Sequence, residues 1–222
     1  KKASVCATHL LIDIPYGKHV KIKTKERANY LAKKFKTIAK KFNMKSKVIT
    51  SDGRQPIGNG IGPLLECKDV LKVLENSNDC PKDLKEKSIK LAGMLLELVG
   101  EKQGTQMAKE ILESGLAYKK FHEIIKAQGQ KRLPPLGKYL RHVKAKKSGV
   151  VNELNNIILS KTARIAGAPD TKGAGVYLHK KLKDKVKKGE KLATIYSHDS
   201  KEAKAAHNFC IENKAFKIKG SH

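Results

Sequence analysis

The chain contains no tryptophan, and aromatic residues make up only 5% of its 222 positions. That scarcity argues against a row of exposed rings on which single-stranded bases could stack. Arginine is almost as sparse: of 48 basic residues, five are Arg (Arg27, Arg54, Arg132, Arg141, Arg164) and 43 are Lys. Base edges and phosphates favour the planar guanidinium fork, whereas an ammonium is a strongly hydrated point charge. The formal net charge of +27 therefore reads mainly as a Lys-rich solvated surface. Attraction for small anionic substrates and a basic nucleic-acid-binding module are the alternatives. Long apolar runs are missing as well. The longest, residues 10–14 and 91–99, fall well short of the ~20 residues that span a bilayer, so no membrane is expected as a partner. The first residue is Lys and no apolar leader follows it, from which a piece of a longer protein is expected.

Several kinds of chemistry lack their residues. Cys6, Cys67, Cys80 and Cys210 are far apart and form no Cys-x-x-Cys pair, which speaks against a disulfide framework and against zinc. Buried free thiols are expected for Cys6 and Cys67, and a reducing cytoplasm is expected for the chain. The eight histidines form no His-x-x-x-His or His/Cys cluster, so no metal is expected. There is no Gly-x-Ser-x-Gly elbow to expose a nucleophilic serine.

Residues 5–15 (VCATHLLIDIP) are a β-branched and aliphatic run stopped by Pro15 and Gly17, which predicts a strand. Its nearly unbroken hydrophobicity predicts cover on both faces, as in a parallel sheet, with His9 in the interior. Asp13 near the end of that strand is a functional group or a loop brace. Thr24 is placed to cap a helix reaching Phe42, with Ala28, Leu31, Ala32, Phe35, Ile38, Ala39 and Phe42 recurring on one face. Residues 47–50 follow as a second strand. Strand, helix and strand within about fifty residues make a βαβ unit.

Residues 51–63 (SDGRQPIGNGIGP) carry four glycines and two prolines. They are a loop at the carboxyl end of that second strand, the edge where open α/β sheets bind ligands. The glycine spacing matches neither a Walker A nor a dinucleotide fingerprint, so a backbone-lined ligand loop and a long ordered connection both stay open. Helices are predicted over 64–74, 83–99, 103–114 and 117–128. Residues 133–137 (LPPLG) then break the pattern, and a boundary is placed there. Beyond it, a helix over 157–166 and strands over 175–180 and 192–196 are predicted, with a tight hammerhead-like turn at residues 186–192 (VKKGEKL). That turn has the shape of a lipoyl- or biotinyl-type half-barrel. No Met-Lys-Met carrier hairpin accompanies it.

Residues 1–24 (KKASVCATHLLIDIPYGKHVKIKT), 51–71 (SDGRQPIGNGIGPLLECKDVL) and 166–197 (AGAPDTKGAGVYLHKKLKDKVKKGEKLATIYS) resemble the carboxyl-terminal part of the pyrimidine-nucleoside phosphorylases. That family includes thymidine phosphorylases and AMP phosphorylases. The resemblance extends over essentially the whole chain, and Gln55-Pro56-Ile57-Gly58 and Lys172-Gly173-Ala174-Gly175-Val176 are its most specific parts. The Pro-Pro-Leu junction with Arg141-His142-Val143 is similar to a bacterial, AMP-phosphorylase-like subgroup whose members are called thymidine phosphorylases.

The fold this implies is α/β: residues 1–133 as the rear part of a mixed or parallel sheet domain, and residues 134–222 as an α+β half-barrel, barrel-sandwich-like subdomain. The reaction implied is phosphorolysis of thymidine to thymine and 2-deoxyribose 1-phosphate. Inorganic phosphate is the co-substrate and no cofactor is needed. AMP or another nucleoside monophosphate is the alternative substrate. Partners implied are the nucleoside or nucleotide, phosphate, the rest of the same polypeptide, and a second copy docked through its amino-terminal region. In the family's Ser-x-x-Ser-Lys-Lys pattern, Lys1 stands where the Lys contacts the base, and Lys21 stands where the AMP branch contacts its nucleotide. The family's phosphate-binding segment and the remaining base contacts lie upstream of the matched region, so this chain alone is expected to be inactive.

Overall fold

The computed structural model describes residues 2–220. The chain is mixed α/β and divides into two compact units. One comprises residues up to Gly53 together with Val73–Gln128; the other comprises Arg54–Lys72 together with residues from Gly129 onward.

The first unit is built on a βαβ crossover. Strand β1 (His9–Tyr16), helix α1 (Lys25–Lys41) and strand β2 (Lys45–Asp52) form a two-stranded parallel sheet, with registers from His9 opposite Lys45 to Tyr16 opposite Asp52. Thr24 caps α1, its hydroxyl accepting from the Arg27 amide at 3.2 Å. The strand starts later than its composition predicts. Residues Ala3–Val5 form a 3-10 turn and Cys6 adopts φ 53°, leaving its side chain exposed. The cause is register: β2 begins opposite His9, so the residues before Thr8 have no strand to pair with. His9 is half-buried and meets the adjacent Thr8 hydroxyl at 3.0 Å, so it is not an interior histidine.

Parallel sheets normally bury both faces. Here β1 is mostly half-buried, with Ile14 its one buried residue. On α1, Ala28 and Ala39 are buried, whereas Phe35, Ile38 and Phe42 of the same predicted stripe are 41–60% exposed. Two strands offer too little area to cover that stripe. Helix α2 (Pro63–Leu74) lies mostly in the second unit; in the first, α3 (Lys82–Leu98), α4 (Gly104–Glu113) and α5 (Leu116–Ala127) follow, with α3 also packing on the sheet. The α3–α4 contact is close because Gly93 lies directly on Thr105, with no room for a Cβ.

The second unit holds two antiparallel sheets. Strands β3 (Gly60–Ile61), β6 (Gly175–Leu178), β8 (Lys191–Ser197) and β4 (Tyr139–Lys144) lie in that order. Helix α6 (Asn156–Ile165) and helix α7 (Ser200–Glu212) pack against this sheet. The core they share includes Leu159, Val176, Leu178, Ile195, Ala206 and Cys210. Fully burying a Leu or Ile of this kind contributes roughly 1.5–3 kcal/mol. Strands β7 (Lys185–Val186), β5 (Gly149–Leu154) and β9 (Phe216–Lys219) form the other sheet, centred on Val151, Leu154, Val186 and Leu192. The turn at residues 187–190 forms between β7 and β8, with Gly189 at φ 86° and its amide donating to Ala145.

Among the described residues no closed barrel forms, and no helix is long and apolar enough to cross a membrane. Helix α7 and β9 were not expected. Asp199 caps α7, its Oδ1 accepting from Lys201 and Glu202 amides at 2.7 and 2.9 Å.

Candidate functional site

The glycine-rich segment is the most distinctive feature of the sequence, and its geometry settles between the two open readings. Asn59 and Gly60 donate their amides to one carboxylate oxygen of Asp69, at 2.6 and 2.7 Å. The Gly62 amide donates to Glu66 Oε1 at 2.9 Å. Asn59 accepts from the Leu178 amide at 2.8 Å, and Gly60–Ile61 pair with β6. A loop that cradles phosphate needs its N–H groups aimed outward. Here three of them are already satisfied by the protein's own carboxylates, so this stretch is an ordered connection. Its glycines are explained by close backbone approach. A Cβ on Gly60 would sit 2.5 Å from the Leu65 carbonyl carbon. Gly62, at φ 128°, would meet the Ala174 carbonyl oxygen at 2.5 Å.

The preceding residues are pinned from the other side. Gln55 Oε1 accepts from the Leu182 amide at 2.9 Å, and the Lys181 ammonium donates to the carbonyls of Pro56, at 2.9 Å, and Gly58. The Lys181 amide is held in turn by Asp184 Oδ2 at 2.7 Å. Asp69 is 2% exposed, and its second oxygen, Oδ1, has no hydrogen-bond partner among the described residues. Sequence reading passed over Asp69, although a signal was there: it lies four residues after Leu65 on the buried stripe of α2, where an unexplained charge implies a bonding duty. Nothing local marks Lys181 for this role, since the Pro56 and Gly58 carbonyls that its ammonium reaches are more than 120 residues away.

In the first unit, Asp13 is a brace. Its Oδ2 pairs with Lys87 of α3 at 2.5 Å, and the same ammonium donates to Ser51 Oγ at 3.2 Å, tying the carboxyl ends of β1 and β2 to one helix. The loop after β1 is closed by the Gly17 amide bonding to Ile22 at 2.9 Å and by the Lys23 ammonium on the Lys18 carbonyl at 3.0 Å. Lys21 sits in this loop, exposed, and makes no hydrogen bond or ion pair among the described residues. Lys1, the other expected contact, lies outside the described residues.

A second polar cluster was not anticipated. The buried Thr194 hydroxyl meets His142 Nδ1 at 3.0 Å and His179 Nε2 at 2.7 Å. One hydroxyl donates once, so in the neutral pair one imidazole accepts its proton and the other donates to its oxygen. Both histidines are held below their ordinary pKa, chiefly by burial. Lys191 and Lys144 add to the effect on His142, and Lys191, His142 and Lys180 to that on His179. Burial pushes the Cys210 thiol up to about 11, partly offset by a hydrogen bond with Thr162. Among the described residues no three His, Cys, Asp or Glu side chains gather as metal ligands would.

Comparison with known proteins places these features in a family. Residues 150–216 match the family model for the pyrimidine nucleoside phosphorylase C-terminal domain. A Methylococcus capsulatus protein named "Putative thymidine phosphorylase" is 41% identical over 223 residues, covering 98% of this chain and 43% of the relative. Relatives of the same name from Rhodopseudomonas palustris and Ralstonia nicotianae are 42% and 39% identical over 226 and 221 residues. They cover 100% and 98% of this chain, and 44% of each relative. The chain thus spans less than half the length of the curated relatives it matches. It belongs to the pyrimidine nucleoside phosphorylase family, to whose carboxyl-terminal part it corresponds.

Proposed function

We propose that this chain is the carboxyl-terminal part of a pentosyltransferase that cleaves thymidine with inorganic phosphate, giving thymine and 2-deoxyribose 1-phosphate. Identity of 39–45% to relatives bearing the thymidine phosphorylase name, sustained over nearly the whole chain, carries the reading. In such a reaction phosphate attacks the anomeric carbon while the bond to the base breaks, and electron density builds on the departing base. A cation beside the base lowers that barrier when it binds the developing charge more tightly than the neutral substrate. Lys1 is the proposed base contact and Lys21 a proposed substrate contact. The exposed, unpaired ammonium of Lys21, on the loop at the carboxyl end of a parallel strand, suits the second role.

The phosphate site and the catalytic residues are proposed to lie in the remainder of the polypeptide, so the 222-residue chain alone is inactive. That remainder would also supply strands and helices to cover the half-exposed β1–β2 sheet and α1, and the surface of a homodimer. Residues 134–222 are proposed as the inherited carboxyl-terminal subdomain, a barrel-sandwich-like half-barrel, with residues 1–133 as part of the larger α/β domain. No cofactor, nucleic acid or membrane is needed, and a cytoplasmic site is proposed.

A nucleoside monophosphate such as AMP is the second reading, favoured by the cationic run Lys18, Lys21 and Lys23 on one short loop, which suits a 5′-phosphate. Phosphate-dependent release of free base decides, measured for the full-length protein on thymidine, uridine, AMP and CMP with the 222-residue chain as control. Release from thymidine alone supports the first reading, and release from monophosphates alone the second. No release from any of the four would overturn both. In the active protein, Lys21→Ala should raise KM about tenfold, as the loss of one charge-assisted contact of roughly 1.4 kcal/mol does. Unchanged KM would remove Lys21 from the site.

A further inference from the structure

We propose that the second unit carries a separate binding site for a small amphiphilic anion, in a groove of about 530 Å³ between the edge strands β4 and β9. The groove is of the size that encloses a drug-sized ligand. Its floor is apolar, formed by Val143, Leu192, Phe216 and Ile218. Its rim carries five ammonium groups, from Lys144, Lys146, Lys147, Lys214 and Lys217, and among the described residues no carboxylate lines it. Lysines are common on this chain, so the missing carboxylates are the informative part. Two other grooves, both in the first unit, include Glu123, and Glu86 with Glu113, among their lining residues.

Lys217 is neutralised by Glu153 of β5 at 2.9 Å. The ammonium groups of the other four make no hydrogen bond or ion pair among the described residues. Lysines on edge strands also discourage strand addition, which accounts for Lys144 and Lys217. It does not account for Lys146 and Lys147, in the turn after β4, or for Lys214, in the turn after α7. The carboxyl end of α7 would repel an anion if its carbonyls pointed bare into the groove. Those of Phe209, Cys210 and Ile211 are instead taken by the amides of Asn213, Ala215 and Lys214, each at 3.1 Å. Unpaired ammonium groups above an apolar floor select a ligand with both an anionic head and an apolar body. Charge alone would draw inorganic ions, and apolar area alone would draw neutral molecules.

The test is binding of 1-naphthyl phosphate to the 222-residue chain, followed by isothermal calorimetry and by amide shifts at residues 145–148 and 216–218. Inorganic phosphate and 1-naphthol serve as the head and the body alone. Each should bind at least tenfold more weakly than the combined probe. Lys146→Glu with Lys147→Glu should weaken the probe at least tenfold. Lys33→Glu with Lys36→Glu, the same charge change on exposed α1 positions, should alter it less than twofold. Lys214→Glu provides an independent variant on the opposite wall, expected to weaken binding severalfold. Inorganic phosphate binding as well as the naphthyl ester, equal losses in the two double variants, or shifts confined to residues outside the groove would each overturn the proposal.

Discussion

Replacing Asp69 by Ala should loosen the second unit at its glycine-rich segment. The carboxylate accepts a half-buried amide from Asn59 at 2.6 Å and a buried one from Gly60 at 2.7 Å, and its own residue is 2% exposed. Water cannot replace it without opening the site. Two such donors left without acceptors cost about 1–3 kcal/mol each, so roughly 4 kcal/mol in all. Removing the unpartnered Oδ1 returns about 1 kcal/mol of that, leaving a loss near ~3 kcal/mol. With a urea slope of about 2 kcal/mol per M, the unfolding midpoint of this unit should fall by roughly 1.5 M. Asp69→Asn keeps an acceptor for both amides but removes the charge assistance. It should cost about 1–2 kcal/mol. Hydrogen exchange supplies the local readout. The Asn59 and Gly60 amides should exchange roughly a hundredfold faster in the Ala variant, and those of Leu159 and Ile195 much less so. Ala-variant stability within 0.5 kcal/mol of the parent, with both amides still protected, would refute the assignment of Asp69 as the clamp.

Other outcomes follow from single groups. His142 and His179 are held below their ordinary pKa, so below about pH 6.5 the unfolded chain takes protons that the folded unit resists. Stability of the second unit should therefore be full above that pH and decline as the pH falls through the unfolded value. Urea midpoints from pH 8 to 5 should show this, and His142→Gln with His179→Gln should flatten the slope; an unchanged slope would exclude the pair as its source. Of the four thiols, exposed Cys6 should react with a disulfide reagent fastest. Cys210, 1% exposed and pushed up to about 11, should react only on unfolding. Early modification of Cys210, located by mass spectrometry, would contradict its burial.

What sequence could reveal here was set by the range of the interactions. The βαβ crossover was legible because its signals are local: an aliphatic run, Thr24 ahead of Arg27, and apolar residues at helical spacing. The helices from α2 to α6 were legible for the same reason, to within one or two residues at each end. The strand's start was not, because Val5 and Cys6 have strand-like composition but no partner once β2 begins at Lys45. Composition supplies propensity, and pairing decides. Helix α7 could have been found from Asp199, Glu202 and the spacing of Ala203, Ala206 and Cys210. The clamps on the glycine-rich segment could not. Lys181 reaches Pro56 and Gly58, and Gln55 reaches Leu182, across more than 120 residues. The Thr194 link between His142 of β4 and His179 just past β6 is equally invisible along the chain.

The glycines of that segment provide a sharp division between scaffold and site. If Gly60 existed to let an anion approach the backbone, Gly60→Ala would obstruct the ligand and raise the phosphate constant of the active protein. Its surroundings argue otherwise. An added Cβ would lie 2.5 Å from the Leu65 carbonyl carbon and 2.8 Å from the Glu66 amide nitrogen, both backbone atoms of α2 that cannot swing aside. The substitution should therefore push β3 from α2, disturb the Asn59 and Gly60 bonds to Asp69, and cost about 1–3 kcal/mol as overpacking does. The KM for phosphate in the molecules that remain folded should be unchanged. The opposite pattern, full stability with a raised phosphate constant, would mean that these amides leave Asp69 to meet the anion. In the described fold both amides are already engaged by Asp69, so Gly60 serves the scaffold and its backbone has no donor to spare for an anion.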